Sequence, residues 1–173
     1  MKKRVIALLL CMSPTLAAAE PVTVAGLNIA MSLDEARLVV EDKGFNCAEL
    51  TREVHCGEPI NETIGYKEGW DLSDAILVTG VAAILVPKGD ELSAVGIGCR
   101  LINACDYTVR QLAQALVDND IINALEGGVD NDGNTFYTGV GPSGDAIRVN
   151  SFGGGPTIVV ERGSYGSGGL QLN

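Results

Sequence analysis

Two stretches of the chain place apolar residues at the period of an amphipathic helix. At 31–45, MSLDEARLVVEDKGF sets Leu33, Ala36, Val39, Val40 and Phe45 along one face; at 107–121, YTVRQLAQALVDNDI does the same with Val109, Leu112, Ala115, Leu116 and Ile121. Each run opens with a hydroxyl residue followed three positions later by Glu or Gln, as Ser32 with Glu35 and Thr108 with Gln111. That is the spacing of a capping box, in which the hydroxyl accepts from a free backbone N–H and the later side chain reaches back to the cap. Two capped helices are predicted, and Thr108 follows Ser32 by 76 positions.

Between and after them the pattern changes to short extended runs punctuated by turn residues. PKGDELSAVGIG at 87–98 matches PSGDAIRVNSFG at 142–153, with Pro87, Gly89 and Asp90 over Pro142, Gly144 and Asp145. Each Pro-x-Gly-Asp sits between strand-like runs, Val81 to Val86 and Leu92 to Ile97 in one case, Phe136 to Val140 and Ala146 to Val149 in the other, and so predicts a β-hairpin. CAELTREVHC at 47–56 predicts a third hairpin, GGVDNDGNT a turn-rich stretch leading into a strand, and TIVVE at 157–161 the last strand. The resulting expectation is an α+β fold of two tandem helix-plus-hairpin units, with the helices packed on antiparallel sheet. Its parts are a first unit at 20–105 that carries the extra hairpin, a second at 106–162, and a flexible Gly/Ser-rich tail at 163–173.

The N-terminus adds an address. Lys2, Lys3 and Arg4 precede an apolar run from Val5 to Leu10, and Ala17-Ala18-Ala19 offers a cleavage site, so residues 1–19 are read as a bacterial secretory signal leading to the periplasm or the medium. The apolar run is shorter than the ~20 residues a membrane-spanning helix needs, so no transmembrane anchor is expected. Cys11 invites lipidation, but Leu10 stands where a lipobox has a small residue. Cleavage removes three cations and takes the net charge from −10 to −13. Such a surface repels phosphate backbones, which argues against nucleic acid; it suits a cationic protein partner or divalent metal ions, or serves simply as a charged coat that maintains solubility.

Export changes how the cysteines are read. Cys47, Cys56, Cys99 and Cys105 form an even set in an oxidising compartment, neither spacing is CxxC, and closeness in sequence favours Cys47 with Cys56 and Cys99 with Cys105. Structural disulfides are therefore expected rather than a metal site or a redox pair.

Candidate chemistry is sparse. The lone histidine, His55, lies beside Cys56 in a hairpin and offers no triad. DNDGN at 130–134 alternates like calcium ligands, but with Gly133 as sixth residue of an EF-hand loop its first and twelfth positions are Gly128 and Gly139, so a hairpin turn explains it better. FGGGP at 152–156 lacks the strand-to-helix setting of a phosphate loop and reads as a bend, and the sequon Asn61-Glu62-Thr63 carries little weight in a bacterial chain. No catalytic, cofactor or metal residue is predicted.

Around the first helix, Gly26, Met31, Ser32, Glu35, Ala36, Gly44 and Phe45 form a pattern that resembles the small exported envelope proteins related to β-lactamase inhibitor protein and to the small lipoprotein of the outer-membrane assembly complex. The glycine that usually precedes the methionine is Ala30 here. The resemblance implies a helix-plus-sheet fold that offers a concave sheet face to a protein partner, and no catalytic residues. The functional expectation is a non-enzymatic binding module, inhibitor-like or an envelope-assembly partner, with Trp70, Tyr66 and Tyr137 as candidate interface anchors. The competing readings are a small carboxylate-dependent hydrolase and a passive envelope protein.

Overall fold

The computed structural model describes residues 19–59, 78–152 and 154–163. Both capped helices form where the periodicity places them: α1 at Leu33–Glu41 and α2 at Val109–Asp118, each with both reciprocal bonds of its capping box in place. Asp34 and Glu35 in the first turn of α1 also face the positive end of the helix dipole. The strands are β1 (Asn46–Glu49), β2 (Val54–Pro59), β3 (Val78–Lys88), β4 (Glu91–Gly98), β5 (Glu126–Val129), β6 (Thr135–Val140), β7 (Ala146–Phe152) and β8 (Gly155–Glu161).

All eight strands join one antiparallel sheet in the order β1-β2-β3-β4-β8-β7-β6-β5. This corrects the expected α+β architecture of tandem helix-plus-hairpin units. The helices are short, with 9 and 10 residues, and each precedes four strands rather than one hairpin. The two Pro-x-Gly-Asp turns that suggested the repeat occupy unlike places: residues 87–90 join the third and fourth strands after α1, while 142–145 join the second and third after α2. Both turns contain a left-handed residue, Gly89 at φ 66° and Gly144 at φ 88°, so local turn chemistry reproduces the pattern without repeating the fold. Their aspartates also differ in use. Asp90 is exposed, whereas Asp145 is buried and accepts from the Val22 backbone N–H at 2.9 Å and from the Ser143 hydroxyl.

One face of the sheet holds the core. Alternate residues of the inner strands point the same way, and Val54, Leu85, Val95, Ile97, Ile147, Val149, Ile158 and Val160 are all buried there together. Each such side chain contributes about 1.5–3 kcal/mol on burial. Over them α1 packs Ala36 and Val40 onto β1 and β3, and α2 packs Leu112, Ala113 and Leu116 onto β6, β7 and β8. The segment before α1 joins this core through Val22, Val24, Leu27 and Ile29, a contribution that the helix-and-hairpin pattern did not announce.

The disulfides are Cys47–Cys56, linking directly opposed residues of β1 and β2, and Cys99–Cys105, closing the loop between β4 and α2. In the chain-entropy picture loops this short each contribute about 2–3 kcal/mol. No helix among the described residues is long and apolar enough to cross a membrane.

Candidate functional site

Residues directly opposed in an antiparallel register share a face, so the helix-free face can be followed across the strands. Val159 and Thr157 of β8 lie opposite Gly96 and Gly98 of β4 and opposite Arg148 and Asn150 of β7. Arg148 in turn lies opposite Thr138 of β6, whose alternation brings Phe136 and Val140 to the same side. The centre of this face is closed, with Ile84, Ala94 and Val159 buried. Towards β6 and β7 it opens: Phe136, Arg148, Asn150 and Phe152 are half-buried and Val140 is 53% exposed.

This open quarter has a defined internal structure. The Arg148 guanidinium lies over the Phe136 ring, 4.4 Å from its centroid, a cation–π contact that holds both side chains in place. The Arg148 Nε and the Asn150 Oδ1 are buried without a hydrogen-bond partner, one a donor and the other an acceptor, two residues apart on the same strand. The sequence did signal this group: in AIRVNSF, Ile147 and Val149 alternate with Arg148, Asn150 and Phe152, the strand period that puts the two sets on opposite faces. The predicted anchors Trp70, Tyr66 and Tyr137 do not include it.

Of the predicted anchors, Tyr66 and Trp70 lie outside the described residues. Tyr137 lies on β6 opposite Val149, hence on the helix side, where it is partly buried against the core and lines a shallow groove with Arg110, Ala113, Gln114, Val117 and Leu125. It does not join Phe136 and Arg148. The four predicted cysteines are brought together in the two expected pairs.

Several titratable groups among the described residues are engaged singly in structural contacts. Glu35 caps α1, and the Ser32 backbone N–H, followed by the Ser32 hydroxyl, holds its pKa below the usual carboxylate range. Asp130 accepts from the Asn134 backbone N–H at 2.8 Å and from that of Asp132 at 3.0 Å, and the Asn134 bond chiefly lowers its pKa. The DNDGN stretch is thus the β5–β6 turn, with Asp130 committed to its own loop. Glu49, Glu58 and Glu91 pair with Arg37, Arg100 and Arg162. His55 is part-buried with its Nε2 2.6 Å from a Glu53 carboxylate oxygen. Among the described residues no cluster of His, Cys, Asp and Glu could hold a metal ion. No family model, curated protein or solved structure matches the chain.

Proposed function

We propose that the chain is an exported, disulfide-stabilised, non-enzymatic protein-binding module of the inhibitor or envelope-assembly kind, working in the periplasm or the medium. The observation that carries this reading is the open quarter of the helix-free face, where Phe136, Arg148, Asn150 and Phe152 are presented by two adjacent strands. Arginine and aromatic side chains are the types that dominate protein interfaces, and half-burial on strands fixes their positions before binding. The two disulfides fit an oxidising compartment. The net charge of the mature chain makes a cationic protein the partner that electrostatic steering favours. The resemblance around α1 points the same way, since it implies a sheet face offered to a protein.

The test is affinity capture from envelope extract with the mature oxidised chain, run beside Phe136→Ala, Phe152→Ala and Arg148→Ala variants whose folding is checked by amide dispersion. A stoichiometric partner whose affinity falls about tenfold or more in these variants supports the reading. Retention indifferent to all three, or a hydrolytic activity abolished by substitution of a single carboxylate, overturns it.

A further inference from the structure

Among the described residues, the outer edge of β5 is left open. Strand β5 pairs on one side with β6, and no described strand pairs with its other side. Glu126, Gly127 and Val129 are exposed, Val129 at 67%. A strand at the end of a sheet leaves alternate N–H and C=O groups unpaired, and proteins ordinarily blunt such an edge with a very short strand, charged side chains, above all Lys, Pro, a bulge or a cover. The sequence EGGV carries neither Lys nor Pro, and its register with β6 runs without a shift from Glu126 to Val129.

The rings of β6 make this edge a seat as well as an opening. A Cβ on Gly128 would stand 2.5 Å from Cζ of Phe136, and one on Gly127 would stand 3.1 Å from Cε1 of Tyr137. The two rings therefore lie across the two glycines, Phe136 on the helix-free face and Tyr137 on the helix side, reaching towards the open edge from both faces. A strand added alongside β5 would find an aromatic surface for its side chains on each face and free backbone groups between. Both ends of β5 are acidic: Glu126 begins it, and Asp130 and Asp132 follow it, with Glu126 and Asp132 paired to no cation among the described residues.

We infer that β5 is a strand-addition site, and that its occupant is an extended segment of the partner protein with alternating β-branched residues flanked by Lys or Arg. This rests on the protein-binding reading and deepens it by naming the chemistry of the segment. Backbone pairing supplies the affinity, Phe136 and Tyr137 select the alternating side chains, and the acidic ends select the basic flanks. The charge argues against a second copy of the chain as occupant, because it would bring the same carboxylates to the same edge.

The experiment uses the mature oxidised chain and the peptide acetyl-Lys-Val-Thr-Val-Thr-Lys-amide, followed by amide hydrogen exchange and 15N chemical shifts. Saturable shifts centred on Glu126–Val129, with exchange at alternate β5 amides slowed about tenfold or more at saturation, support the inference. So does weakening of about tenfold when alternate peptide nitrogens are methylated, which removes the hydrogen bonds and keeps the side chains. Replacing both lysines by Glu, or Val129→Lys in the protein, should weaken binding in the same direction. Unchanged exchange along β5 at high peptide concentration, or equal binding by the methylated peptide, overturns it. Concentration-dependent dimerisation that protects β5 without peptide overturns it in favour of a second copy. If partner capture still depends on Phe136 and Phe152 while Val129→Lys has no effect, strand addition falls and the binding reading stands.

Discussion

The two edges of the sheet are managed in opposite ways. At one end β1 is short, bound to β2 by Cys47–Cys56, flanked by α1, and fixed further by Arg37 reaching from that helix to Glu49 at 2.7 Å. At the other end β5 is equally short but carries two glycines, an exposed valine and no cross-link. A covalent staple and a helix make the first edge a terminus of the fold. The second is held to the sheet by backbone pairing and by two rings that lie over its glycines, which leaves it available.

Several changes should break or sharpen this contrast. The largest effect is expected from the double substitution Cys47→Ser, Cys56→Ser, which should cost about 2–3 kcal/mol in denaturant unfolding. It should also raise amide exchange in Asn46–Glu49 while leaving β5 exchange as it was; equal acceleration at both ends would mean that the staple acts on the whole sheet. Gly128→Val comes next. Its side chain must displace the Phe136 ring, so about 1–2 kcal/mol should be lost and the contact of Arg148 with that ring should disappear from ring-current shifts. A neutral result would show that the ring is not seated over the glycine.

Arg37→Ala should matter less, by under about 1 kcal/mol, because the Arg37–Glu49 pair is partly exposed and screened. Added salt should shrink even that difference. The smallest effect concerns pH. Glu35 and Asp130 have folded pKa values below their unfolded ones, so the stability they supply is present above the ordinary carboxylate range and is lost as pH falls through the depressed values. Carboxyl 13C titration should show each midpoint below the ordinary value for its own residue type. Glu35→Gln should flatten acid-induced fraying at α1 without touching the β5–β6 turn, and Asp130→Asn the reverse.

Much of the local structure was legible along the chain. The capping boxes at Ser32 and Thr108, the turns at Gly89 and Gly144, and the last strand involve residues close in sequence, so short-range chemistry suffices to place them. The β5 strand was not, because Gly127 and Gly128 have low strand propensity and become a strand only when Phe136 and Tyr137 cover them from the neighbouring strand. The pairing of Phe136 with Arg148 was illegible for a related reason, although the alternation along β7 marks Arg148 itself. Their contact joins β6 to β7, and no spacing within either strand encodes it.

The sequence by itself determined the helix starts, the hairpin turns and the acidic charge, all of which follow from near neighbours or from composition, and it favoured, without fixing, the pairing of four cysteines into two short loops. Only the tertiary structure decided that eight strands form one sheet rather than two helix-plus-hairpin units, because the joint between β4 and β8 pairs residues about sixty positions apart, Gly98 with Thr157 and Ala94 with Glu161. That same joint puts β5 at an outer edge and leaves one face without helices among the described residues. Which surfaces a partner can reach is therefore set by long-range strand pairing, a property that hydrophobic periodicity within single strands does not carry.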